Sequence, residues 1–103
     1  MIEAYYRVDE FIKMIEISGH AEYDESGKDI VCAAVSTAII VTANAAKLLD
    51  LEQFYKFWID EGYFKIEIYE YNKTLDKLLK NLEYTLFDLE QQYPNYIKNQ
   101  KEG

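Results

Sequence analysis

Residues Ile30–Leu49 read IVCAAVSTAIIVTANAAKLL, and the character of this stretch decides the fold. It carries no charge before Lys47, and its apolar residues, many of them alanine, fall on nearly every side of a 3.6-residue repeat. That pattern predicts a helix of about 20 residues buried as the central element of the core, with Asp29 as its N-cap. Alanine lets neighbouring elements approach closely, which suits a helix lying across a sheet. The uncharged run Ile30–Ala46 is 17 residues long and includes Ser36, Thr37, Thr42 and Asn44. It only touches the lower limit for crossing a bilayer, so the reading is a buried helix and no membrane.

Working outward, Ile2–Val8 and Phe11–Ser18 are β-branched and aromatic runs separated by Asp9-Glu10, a hairpin signal. Alternation places Phe11, Ile15 and Ile17 on one face of the second run, and Ile12, Met14, Ser18 and His20 on the other. Glu22–Lys28 holds three acids, a serine and a glycine without apolar periodicity, which predicts a mobile surface loop. Beyond the helix, Leu51–Ile59 and Tyr63–Tyr71 flank Asp60-Glu61-Gly62, a second hairpin. From Thr74 to Tyr93, Leu75, Leu78, Leu79, Leu82, Leu86 and Leu89 recur at helical spacing until Pro94 ends the pattern. The expectation is one α+β domain over 1–103, a two-layer sandwich of two helices on a four-stranded antiparallel or mixed sheet in ββαββα order, with 97–103 as a frayed polar tail.

The chain has 103 residues, half of them hydrophobic, ten tyrosines, five phenylalanines and a formal charge of -8. Such a chain folds, and its acidic surface argues against nucleic acid as the direct partner while favouring encounter with basic proteins. One cysteine cannot form an internal disulfide, and MIEAYYRVDE lacks the basic start and apolar run of a secretory signal, which together imply the cytoplasm.

The chemistry concentrates in Gly19–Ala34, GHAEYDESGKDIVCAA, which contains the sole histidine, His20, and the sole cysteine, Cys32, twelve positions apart. With Asp29 as cap, Cys32 falls in the first helical turn, beside unpaired N–H groups that favour a thiolate and can receive an oxyanion. His20 leaves the strand whose loop leads into this helix, and within reach of the thiol it would act as general base and then as acid to the leaving amine. Gly19 and Gly27 permit the backbone turns this requires. Asp29 either only caps the helix or also orients His20. Ser36, four residues after Cys32 on the same face, bonds either the histidine or its own helix backbone. The same window also reads without catalysis, with cysteine as a small core residue and histidine as a satisfied polar one. A zinc site is the weakest option, because Glu22, Asp24 or Asp29 would have to complete the shell.

The window as a whole resembles the ribosomal-processing cysteine protease family Prp: GHA, an interval containing Gly27 and closing on Asp29, then IVCAAVS, with the twelve-residue step from His20 to Cys32. The resemblance implies a cysteine endopeptidase, with no cofactor or metal, that removes a short N-terminal extension from ribosomal protein number twenty-seven of the large subunit. In that family the extension ends in apolar and aromatic residues, and cleavage follows the phenylalanines. It further implies His20 and Cys32 as the catalytic pair, Gly19, Asp29 and Ser36 as supporting positions, and a homodimer. The rival from another class is a noncatalytic acidic module that docks on a basic ribosomal protein or an assembly factor.

Overall fold

A computed structural model describes residues 1–19 and 26–103, with side chains for 1–19 and 30–103. Strands β1 (Ile2–Asp9) and β2 (Phe11–Ser18) are followed by helix α1 (Ser26–Leu48), strands β3 (Tyr55–Asp60) and β4 (Tyr63–Ile68), helix α2 (Lys73–Gln92) and strand β5 (Ile97–Glu102). The five strands form one sheet in the order β3-β4-β2-β1-β5, antiparallel throughout except for the parallel β1–β5 pair. Each helix therefore connects two strands that run the same way, α1 between β2 and β3, and α2 between β4 and β5.

One sheet face carries the core. Ala4 sits opposite Ile17, Tyr6 opposite Ile15, Ile15 opposite Ile66 and Ile17 opposite Phe64, and all of these are buried. A bulge in β2 at Lys13 changes the expected facing of that strand, because Arg7 pairs with Met14 but Val8 pairs with Ile12. One residue inserted without a partner turns everything beyond it to the other side. Ile12 therefore joins Ile15 and Ile17 in the core, and its amide donates to the buried Asp76 Oδ1 of α2 at 3.0 Å. Helix α2 follows its leucine pattern, burying Leu75, Leu79, Leu82 and Leu86, and Asn72 caps it by accepting the Leu75 amide at 3.0 Å.

Four further expectations change. The sheet has five strands, since the supposed frayed tail 97–103 holds β5, in which Ile97 is fully buried. Its side chains are polar because only one of its faces meets the core, and there Asn99 answers polar groups. The Tyr6 hydroxyl donates to Asn99 Oδ1 at 2.5 Å, and Asn99 Nδ2 donates to Leu86 O and Glu90 Oε1. The segment before β3 is a 3-10 turn, Glu52–Phe54, which delays the strand to Tyr55. Helix α1 begins at Ser26, three residues before Asp29 and inside the segment expected to be a loop. A polar first turn has no apolar periodicity to reveal it, so the start was read from the first apolar residue instead.

Finally, α1 is not buried all round. At 100° per residue its surface divides into three. Val31, Val35 and Ala46 point into the core; Cys32, Ser36, Ile39 and Ile40 look along a groove beside the sheet; Ile30, Val41 and Leu48 fall within about 20° of one another and are exposed. By length and composition this helix would also suffice to cross a membrane. Here it packs against α2 instead.

Candidate active site

The groove, of about 380 Å³, lies between α1 and the ends of four strands. Its helical wall carries Cys32 and Ser36, and its opposite wall is the β3–β4 turn from Ile59 to Phe64. Ile2 at the start of β1 and Ser18 and Gly19 at the end of β2 complete its lining. The floor is apolar, with Ile17, Val35 and Phe64 each under 5% exposed, whereas Asp60 and Glu61 are exposed at the mouth.

Cys32 is half-buried, one side packed on the core and the other toward the groove. It is the seventh residue of α1, which corrects the expectation that Asp29 caps the helix and that the sulfur sits in its first turn. The four unpaired amides of this helix belong to residues 26–29, so the Cys32 amide lies within the helical ladder and the helix dipole acts on the thiol from more than a turn away. The oxyanion cannot be held by the amides of the first turn next to the sulfur, as a start at Asp29 would have arranged.

Ser36 lies one turn beyond Cys32 and lines the same groove, as its spacing required. Gly19 has φ +128°, and a side chain there would meet the Met1 carbonyl oxygen and come within 2.9 Å of the Ile2 Cα. Its amide donates to Gly62 O at 3.0 Å. The glycine of the motif is thus required twice, by its backbone conformation and by the close passage of β1. His20 follows it directly in the chain and lies outside the described residues, as does the side chain of Asp29. The acids on which zinc would draw, Glu22, Asp24 and Asp29, also fall outside the described side chains; among the described residues no group of three His, Cys, Asp or Glu assembles.

Residues outside the motif also build the groove, above all the β3–β4 turn. Tyr63 is among them, but its hydroxyl donates to Glu16 Oε2 at 2.5 Å. That hydrogen bond, reinforced by desolvation and by the Glu16 charge, raises its pKa and holds it as a protonated donor. Asp60 Oδ1 accepts the Glu61 amide at 2.7 Å. Among the described groove residues the thiol of Cys32 is accompanied by the carboxylates of Asp60 and Glu61, and no imidazole is among them.

The sequence model of a family described as cysteine protease Prp matches residues 1–98. Over 85 residues, which are 74% of this chain and 68% of the relative, the sequence is 36% identical to the ribosomal processing cysteine protease Prp of Bacillus subtilis (strain 168). The crystal structure of SMU.848 from Streptococcus mutans is similar with a TM-score of 0.84 at 27% identity, covering 98% of this chain and 93% of that one. The essential ribosomal processing protease Prp from S. aureus, solved with a covalently linked product peptide, gives a TM-score of 0.85 at 25% identity over 99% of this chain and 100% of the other.

Proposed function

The chain belongs to the cysteine protease Prp family, and from that premise we propose that it removes the N-terminal extension of large-subunit ribosomal protein number twenty-seven, with Cys32 as nucleophile and His20 as general base and acid. The observation that carries the reading is that Cys32 and Gly19, the residue immediately before His20, line one groove. In the reaction the thiol gives its proton to the imidazole and the sulfur attacks the scissile carbonyl. The imidazolium then protonates the leaving amine, and water, deprotonated by the same ring, hydrolyses the thioester. His20 thus takes one proton from Cys32 and gives it to the leaving amine, then takes one from water and returns it to the sulfur as the acid product leaves, and no cofactor or metal enters. The apolar floor suits the aromatic end of an extended peptide. The net charge of -8 favours encounter with a basic ribosomal protein in the cytoplasm. Asp29 and Ser36 are assigned supporting roles near the pair, Ser36 from its place on the groove wall.

The partner of the exposed α1 stripe is assigned to a second copy of the chain. Ile30, Val41 and Leu48 are 53%, 61% and 81% exposed on one helical face. Threonine, alanine and asparagine between them allow two such helices to approach closely, and an apolar face of this kind needs cover in water.

The test is cleavage of a peptide bearing the extension, followed by mass spectrometry. Cys32→Ala and His20→Ala should each lose at least about a thousandfold in rate, whereas Cys32→Ala should still bind the peptide. Cutting by Cys32→Ala at the wild-type rate would remove the thiol from the mechanism, and binding without cleavage by the wild type would leave an acidic docking module.

A further inference from the structure

We propose that the free edge of β3 is the docking strand for the substrate: an extended peptide adds to it as a sixth strand, hydrogen-bonded to the main chain of Phe57 and Ile59, and lays its apolar side chains on the helix side of the sheet. The inference rests on the proteolytic reading given above and states how that site holds its substrate.

β3 forms one border of the sheet, with β4 as its strand partner and no further strand beyond it among the described residues. The hairpin closes with Asp60 opposite Tyr63 across the two-residue turn Glu61-Gly62, and a pair that closes such a turn is a hydrogen-bonded one. At the other end the Tyr69 amide donates to Phe54 O at 2.8 Å, which gives the same alternation. So does the Gly19 amide on Gly62 O at 3.0 Å, since it turns the even-numbered residues of β4 toward β2 and leaves the odd-numbered ones for β3. Lys56, Trp58 and Asp60 therefore bond β4, and the N–H and C=O groups of Phe57 and Ile59 point out of the sheet edge. The side chains of these two residues lie on the helix side, opposite the buried Ile66 and Phe64. Phe57 and Ile59 are nevertheless 40% and 58% exposed, because α1 stops short of covering them. The other side of the same strand is charged: Lys56 Nζ and Lys65 Nζ lie 4.9 and 5.3 Å from the centre of the Trp58 ring.

An open edge with apolar side chains beside it is a template for another strand, and its chemistry specifies the occupant. The outward main-chain groups select an extended chain. The apolar side chains of Phe57 and Ile59, about 6.6 Å apart, select apolar residues at alternate positions of that chain. Ile59 also lines the groove that holds Cys32, together with the half-exposed Ile40 of α1, so the edge leads directly to the nucleophile. Asp60 and Glu61, exposed where the strand meets that groove, favour a basic polypeptide. A second copy of the chain fits less well: it carries the same charge of -8, and lying along β3 it would cover the mouth through which substrate reaches Cys32.

Strand addition has a period of two, and the test reads that period on the unaltered protein fold. A peptide bearing the extension is made in versions N-methylated at one residue each, and binding to Cys32→Ala is followed by fluorescence anisotropy. Methylation at every second residue of the docked segment should weaken binding at least about tenfold, and methylation at the residues between them by less than about threefold. Phe57→Ser should raise KM for the unmodified peptide about five- to twentyfold with kcat within about twofold, whereas Tyr84→Ser, exposed on α2 and outside the groove, should leave both unchanged. Equal losses at both sets of positions, no loss at either, or no binding of the peptide at all overturns the proposal. A Phe57→Ser chain with wild-type KM and half the parent's mass by light scattering also overturns it, giving the edge to a second copy. The two levels separate cleanly. If the wild type cuts the peptide but no alternation appears, only the docking strand fails; if alternation appears in binding but the wild type does not cut, the edge holds the peptide and the assignment of cleavage fails.

Discussion

Replacing Asn99 by alanine should destabilise the domain by about 2 kcal/mol, because one side chain in β5 satisfies a hydroxyl that has no exposed surface. Tyr6 is fully buried, and its hydroxyl donates to Asn99 Oδ1 at 2.5 Å. Without that acceptor the hydroxyl stays buried and unpaired, at a cost of about 1–3 kcal/mol. The other bonds of Asn99 are less costly to lose: Glu90 Oε1 keeps the Asn99 backbone amide at 2.8 Å, and Leu86 O keeps its place in the helical ladder. Near 100 residues, 2 kcal/mol corresponds to a fall in Tm of about 10 °C. Urea or thermal unfolding at one fixed protein concentration reads it, since self-association would shift the midpoint. Tyr6→Phe should cost a similar amount, and the double variant less than the sum, with a coupling of about 1 kcal/mol. An Asn99→Ala chain within about 0.5 kcal/mol of wild type, or strictly additive variants, would refute the account.

Three further outcomes follow from the same reasoning. Burial, then the charges of Glu83 and Glu90, raise the pKa of Tyr6 in the folded state. Tyrosine ionises first in the unfolded chain, so this contribution to stability is complete below pH 10 and declines as pH rises beyond it, and unfolding between pH 10 and 11.5 should show a shallower decline in Tyr6→Phe. Asp76→Ala should cost about 1–3 kcal/mol in urea unfolding by orphaning the Ile12 amide at the β2 bulge, while Asp76→Asn, which keeps an acceptor, should cost less. Val41→Glu, at the middle of the exposed α1 stripe, should halve the mass seen by light scattering if two copies pair there, and an unchanged mass would exclude that face.

Both hairpins and the leucine helix could be read from the sequence because alternation and 3.6-residue repeats are direct images of one buried face, as in Phe64, Ile66 and the Leu75–Leu86 series. What escaped had no such image. β5 needs only Ile97 and Asn99 toward the core, and its neighbour β1 lies far away in sequence. The bulge at Lys13 leaves no mark in composition, although it reverses the facing of Ile12. Helix α1 misled because its apolar character reflects three separate demands, core, groove and exposed stripe, and not burial all round. For the site, the spacing of Cys32 and Ser36 and the need for Gly19 could be inferred locally. The contribution of Gly62 could not, since it arises only when β4 is laid beside β2.

The parallel pairing of β1 with β5 also governs the order in which the molecule can be completed. Ile2 must wait for Ile97, so during synthesis β1 leaves the ribosome with one flank open until both helices and the second hairpin have followed. Contacts of such long range are slow to form, and an unfilled strand flank invites pairing with a neighbouring nascent chain. Tyr6 has no hydroxyl partner in β5 until Asn99 arrives, so the step that pairs β5 with β1 is also the step that settles a fully buried tyrosine.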